Sequence, residues 1–137
     1  MAEIKNAAVI GSGVMGSGIA AHLANAGVPV VLMDIVPAGA KNRNAIAEGA
    51  VERLLRSDPP AFMHKRAVKL VTPANVADHL DMLASVDWII EAVVEDLATK
   101  RALYQRIEKT RKEGSIVSSN TSTLPLARLV EGLPERF

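Results

Sequence analysis

Cysteine is absent from this 137-residue chain, so no disulfide framework can hold it. With no secretory signal recognisable either, a cytoplasmic protein is predicted. Aromatic residues make up only 3%, too few to build the stacking platforms that bind single-stranded nucleic acid. The net charge is +1, so no global field points to a nucleic-acid partner. There is no internal repeat and no low-complexity tract, and no metal site is predicted. No charged residue lies between Lys5 and Asp34, which raises a signal peptide or a membrane helix as alternatives. Both are disfavoured, because Gly11, Gly13, His22, Asn25 and Pro29 break the run. A continuous apolar core of ~20 residues is lacking, so no membrane span is expected. What remains is globular composition, 49% hydrophobic and 23% charged, at a length suited to one domain.

The most informative stretch is that same uncharged segment. Ile4 to Ile10 is a short apolar run of strand type. Gly11, Gly13 and Gly16 then form a G-x-G-x-x-G. Gly11 permits a tight turn, Gly13 lets a pyrophosphate approach the backbone, and Gly16 allows close helix packing. The free amides and positive dipole end of the following helix would face the phosphates. Met15, Ile19 and Leu23 line one face of that helix, with Ala20 and Ala24 beside them. Gly27 and Pro29 stop it. Val30 to Met33 reads as a second, buried strand ending at Asp34. An acid about 20 residues past the glycines can accept hydrogen bonds from an adenosine ribose and repels a 2′-phosphate. The cofactor predicted is therefore NAD rather than NADP.

Further along, residues 40 to 57 read as a helix with Ala47, Ala50, Val51, Leu54 and Leu55 as its apolar stripe. Two prolines, Pro59 and Pro60, end it, and a shorter helix is expected over Ala61 to Ala67. The stretch from Lys41 to Lys69 is rich in Lys and Arg. It reads as an ordinary solvated helix face, or else as a landing surface for an anionic substrate tail. Val68 to Val71 is the expected third strand, with Thr72 to Asn75 as its exit loop and a weak element up to Leu83. Trp88 to Val94 has the near-continuous apolar character of a strand buried on both faces. Glu91 interrupts it and is read as a structural carboxylate. A helix from Leu97 to Lys112 follows, with Lys100 in its first turn, where a cation opposes the dipole. Pairing with Glu95 or with a ligand hydroxyl would explain it; a solvated lysine is the alternative. Ser115 to Ser118 is the fifth strand, opening into Ser119-Asn-Thr-Ser-Thr123, a polar loop at a strand's carboxyl end. Thr123 is expected to cap a helix over Pro125 to Val130. Together these elements predict an α/β, Rossmann-type doubly wound parallel sheet with a helical excursion after the second strand.

Three segments carry a family resemblance: Ala8 to Ala20, Ile90 to Glu95 with Lys100, and Ser118-Ser-Asn-Thr-Ser-Thr123. In order and spacing they resemble the NAD-binding domain of 3-hydroxyacyl-CoA dehydrogenases, in the manner of the dehydrogenase part of bacterial multifunctional fatty-acid-oxidation proteins. The resemblance spans essentially the whole chain. It implies NAD-dependent oxidation of a 3-hydroxyacyl-CoA to a 3-oxoacyl-CoA in β-oxidation. It places Gly11, Ser12, Gly13, Val14, Met15 and Gly16 at the pyrophosphate and nearby ribose, and Asp34 at the adenosine ribose. Val93, Val94 and Glu95 would lie beside the nicotinamide ribose, with Lys100 close by. Ser122, with Asn120 nearby, would meet the nicotinamide and the substrate's 3-oxygen. The basic excursion would lie near coenzyme A.

The family's catalytic histidine, in a His-Phe-Phe-Asn-Pro-like motif on the next strand, has no counterpart here, nor has the glutamate that orients it. His22, His64 and His79 do not substitute for it. The chain is therefore expected to be an incomplete Rossmann domain over residues 1–137. The helical C-terminal domain, which carries the usual oligomer interface, would be absent. Another NAD-dependent 3-hydroxyacid dehydrogenase and a non-catalytic nucleotide-binding module are the remaining readings.

Overall fold

The computed structural model describes residues 3–137. Five strands form one sheet: β1 (Ala7–Ile10), β2 (Val30–Asp34), β3 (Val71–Asn75), β4 (Trp88–Glu91) and β5 (Ile116–Ser119). All neighbours are parallel, in the order β3-β2-β1-β4-β5. The chain works outward from β1 to β3, then crosses back to β4. The crevice between β1 and β4 is thus the switch point, where ligands of such sheets bind. The helices are α1 (Val14–Asn25), α2 (Ala45–Arg56), α3 (Lys65–Val68), α4 (Leu97–Thr110) and α5 (Leu126–Leu129), with a 3-10 helix over Leu80–Ser85.

Side chains alternate across a strand, so each strand feeds both layers. Val9, Leu32 and Ile90 point to one core with Ala20 and Ala24 of α1, Ala50 of α2, and Phe62. Ala8, Ile10, Met33 and Ile89 point to the other, with Leu103 and Ile107 of α4 and Leu129 of α5. The sheet is covered on both faces, which is why its central strands are apolar without a polar alternation. Among the described residues, no helix is long and apolar enough to cross a membrane.

Several elements depart from their sequence reading. The third strand is Val71–Asn75, so the residues taken as its exit loop are the strand itself. Val68 instead ends α3, and Leu70 accepts a hydrogen bond from the Val30 amide through its carbonyl. Pro73 was the misleading residue. It is accommodated because β3 is an edge strand, where a missing N–H need not break a ladder. Helix α2 begins at Ala45 rather than 40, and its Leu55 is exposed. The buried face of α1 is Gly16, Ser17, Ala20, Ala21 and Ala24, while Met15 is 58% exposed. Small residues win this face because the helix lies close on the sheet. Strand β4 stops at Glu91, leaving Val93 and Val94 in the loop beyond it. Thr123 does not cap α5, whose N-cap is Pro125 without a side-chain bond. The Thr121 hydroxyl accepts from the Leu124 amide instead.

The glycine turn shows how close the packing is. A Cβ on Gly16 would stand 1.7 Å from the Gly11 carbonyl oxygen. Gly18, two residues further into α1 and on a different face, has nothing within 4 Å of its would-be Cβ. Gly16→Ala is expected to destabilise by about 1–3 kcal/mol or more through overpacking against backbone. Gly18→Ala should stabilise by about 0.5–1 kcal/mol through helix propensity. Urea denaturation of the two variants checks this opposition in sign.

Candidate functional site: a dinucleotide cleft

A cleft of about 980 Å³ opens at the carboxyl ends of β1, β2 and β4. Its walls include the glycine turn, Asp34, the loop Ala92 to Glu95, Lys100 and Asn120. The structure therefore brings together Gly11, Ser12, Gly13, Val14, Met15, Asp34, Val93, Val94, Glu95, Lys100 and Asn120. Gly16 lies just behind the turn, against Gly11 and Ala92. Ser122 does not form the cleft wall; it sits one contact back, on Glu95.

Each glycine of the turn has a distinct local reason. Gly11 has a φ of +106°, and a Cβ there would meet the Ala92 carbonyl oxygen at 2.4 Å. A Cβ at Gly13 would meet nothing within 4 Å, so that flank of the backbone is open to a ligand. Helix α1 starts at Val14, and its first amides have no partner within the helix. They point where the helix dipole is positive, which suits a phosphate.

Asp34 is anchored rather than free. Its Oδ2 accepts the Ser12 amide at 2.7 Å and the Ser12 hydroxyl at 2.5 Å, and its Oδ1 accepts the Ile35 amide at 2.7 Å. Ser12 is buried, so the second residue of the turn holds the acid at the end of β2. The spacing of turn and acid was legible in the sequence, but this bond between them was not.

At the other end of the cleft lies a buried polar cluster. Lys100 is only 1% exposed, so it is not a solvated lysine. Its Nζ stands 3.0 Å from Glu91 Oε2 and 3.0 Å from Glu95 Oε1, which is the pairing that offsets its place at the start of α4. Glu91 is wholly buried and takes further donors from the Val93 amide at 2.9 Å, Tyr104 at 2.5 Å and Ser119 at 2.7 Å. Its reading as a structural carboxylate holds. Burial, and then the bond to Glu91, push the Tyr104 phenol above its ordinary range and keep it a donor. Glu95 in turn accepts the Thr121 hydroxyl at 2.6 Å, the Ser122 amide at 2.9 Å and the Thr123 amide at 3.3 Å. The Thr121 hydroxyl, the Ser122 amide and Lys100 hold the Glu95 carboxyl well below the usual glutamate range. The polar loop is thus latched onto α4's approach through one carboxylate.

The far wall was not read from the sequence. Thr99, Ala102, Leu103 and Arg106 face the cleft from α4, opposite Ile35 and Val76. Their helical spacing was the available signal. Arg106 donates to the Val76 carbonyl at 2.8 Å. The basic excursion is a solvated surface, with Arg43 paired to Asp78 and Arg56 to Glu52. Arg53 alone reaches the turn, donating to the Ser12 carbonyl at 3.2 Å. His22 and His64 are exposed, and His79 accepts the Asn75 amide at Nδ1.

The sequence family described as 3-hydroxyacyl-CoA dehydrogenase, NAD binding domain, matches residues 6–137. The chain belongs to this family. A probable 3-hydroxyacyl-CoA dehydrogenase of Deinococcus radiodurans is 47% identical over 135 residues, covering 98% of this chain and 39% of that protein. A putative fatty acid oxidation complex trifunctional enzyme of Rickettsia felis is 45% identical, again over 98% of this chain but 19% of that protein. Among solved structures, the 3-hydroxybutyryl-CoA dehydrogenase of Escherichia coli superposes with a TM-score of 0.77 at 26% identity, over 98% of this chain and 28% of that one. The chain thus spans well under half the length of these relatives. The doubly wound fold, the NAD cofactor and the dehydrogenase family read from the sequence all stand.

The buried cluster gives two predictions. Lys100→Met leaves Glu91 buried without its cation and should cost about 3–5 kcal/mol, read by urea denaturation. The second concerns pH. Glu95 is depressed below the ordinary 4.5 in the folded chain. It therefore adds stability above pH 4.5 that is lost as pH falls through its lower folded value. The melting-temperature gap between wild type and Glu95→Gln should accordingly shrink as the solution is acidified below that point.

Proposed function

We propose that this chain binds NAD along the cleft, and that the intact protein oxidises a 3-hydroxyacyl-CoA to the 3-oxoacyl-CoA. The observation that carries the reading is the open flank of Gly13 in the same cleft as an Asp34 anchored to the turn through Ser12. The open flank of Gly13 leaves room for a pyrophosphate, and the anchored acid keeps one acceptor site, on Oδ1, for a ribose hydroxyl. In this reading the turn from Gly11 to Gly16 holds the pyrophosphate and Asp34 the adenosine ribose. Val93, Val94, Glu95 and Lys100 hold the nicotinamide half. Asn120 on the wall, and Ser122 held behind it by Glu95, orient the nicotinamide and the substrate's 3-oxygen. NAD supplies the hydride acceptor when bound.

Removing the hydroxyl proton requires a base. Among the described residues no histidine lines the cleft. The 137 residues by themselves are therefore proposed to bind NAD and turn over little, as an incomplete Rossmann domain. Exposed cations between Lys41 and Lys69 offer a surface for the anionic coenzyme A tail. A cysteine-free chain suits the cytoplasm, the compartment proposed here.

Calorimetric titration tests the reading. NADH should bind clearly tighter than NADPH, and Asp34→Ala should weaken NADH by about 1–3 kcal/mol, the scale of a charge-assisted hydrogen bond. Equal affinity for the two cofactors would contradict the role given to Asp34. Near-native reduction of acetoacetyl-CoA by the 137-residue chain would contradict its lack of a base.

A further inference from the structure

The cleft ends differ in charge. At the end beyond β4, one ammonium, Lys100, is shared between two carboxylates, Glu91 and Glu95, at 3.0 Å each. Glu91 takes four donors, the full acceptor complement of an ionised carboxylate. Both Lys100 and Glu95 line the cleft, Lys100 almost wholly buried and the Glu95 side chain with 34% of its surface exposed. Among the described residues the only other Lys or Arg lining the cleft is Arg106, which donates to the Val76 carbonyl, close to the β3 end of the crevice rather than to Glu95. The cluster therefore carries one net negative charge, flanked by the apolar walls of Ala92, Val93 and Val94.

In a doubly wound sheet the acid at the end of β2 marks the adenosine half of the crevice. The other half, across the switch point toward β4 and β5, then takes the nicotinamide. That ring is a cation in NAD⁺ and neutral in NADH. Every other charge on the two molecules is the same, so the helix dipole and the phosphates do not distinguish them.

We propose that the acid excess around Lys100 selects the oxidised, cationic nicotinamide, and that Glu95 is the residue that sets this preference. The inference rests on the NAD reading above. Glu91 does not line the cleft, whereas Lys100 and Glu95 both do; of these two, Glu95 keeps far more of its side chain exposed, 34% against 1%. A unit charge several ångströms away, at the effective dielectric of a half-exposed protein site, changes a binding ratio by about fivefold. Hydride uptake neutralises the ring, so the same charge favours the bound cofactor before the reaction over the bound cofactor after it.

The test is the ratio Kd(NADH)/Kd(NAD⁺), measured by titration of the 137-residue chain at fixed ionic strength. Loss of packing or of the Thr121 to Thr123 bonds affects both forms alike and cancels in the ratio. Glu95→Gln, which removes the charge and keeps the shape, should lower the ratio about fivefold. Glu95→Asp keeps the charge and should leave the ratio within about twofold of wild type. Val94→Lys, at a site 69% exposed, adds a cation to the same wall and should lower the ratio even where Glu95→Gln fails to fold. A ratio unmoved by both Glu95→Gln and Val94→Lys, or raised by either, overturns the proposal while leaving NAD binding intact. Failure of wild type to bind either form overturns the NAD reading and the preference together.

Discussion

The Glu91 carboxylate is buried at the last residue of β4, between Ile10 of β1 and Ser119 of β5. A charge in that position is tolerated only with a complete set of donors. Supplying them draws in the loop after β4 through the Val93 amide, α4 through Lys100 and Tyr104, and the end of β5 through Ser119. Lys100 passes the constraint to Glu95, and Glu95 passes it to the loop from Thr121 to Thr123. Elements far apart in the chain thereby become one wall. Among the described residues no buried side-chain polar atom is left without a partner.

A steric constraint complements this electrostatic one. Gly11 presses on the carbonyl of Ala92, and Gly16 on the carbonyl of Gly11. The start of α1 is held against the β4 side of the crevice with no side chain between, and Gly13 is left open. Two anchored acids then flank the positive end of a helix, Asp34 on one side and Glu95 on the other. The resulting field suits a molecule with an anionic centre and polar ends. Fold alone would not single out a reaction. The sequence family adds NAD binding, and the anchored residues line the cleft in which it is proposed.

Legibility followed locality. The segment from β1 through the glycine turn, α1 and β2 to Asp34 could be read directly, because strand period, glycine spacing and helix stop signals are properties of neighbouring residues. The apolar character of β4 was equally plain. Strand β3 was misplaced because Pro73 reads as a breaker until the sheet order makes that strand an edge. Met15, Ile19 and Leu23 read as the apolar line of α1; the close approach of the helix instead buries the line of small residues and leaves Met15 at the cleft. Thr123 was given a cap that the Thr121 hydroxyl and Pro125 make unnecessary.

By itself the sequence determined a doubly wound fold, the NAD cofactor, the dehydrogenase family, and the spacing between the glycine turn and Asp34. Those follow from residue types at short, fixed separations. Only the tertiary structure decided that Ser12 anchors Asp34, that Lys100 is buried between two carboxylates, and that α4 furnishes the far wall. It also put Asn120 on the cleft wall while holding Ser122 one contact behind, on Glu95. These contacts join residues distant in the chain. Burial sets their energies, and no local pattern encodes burial.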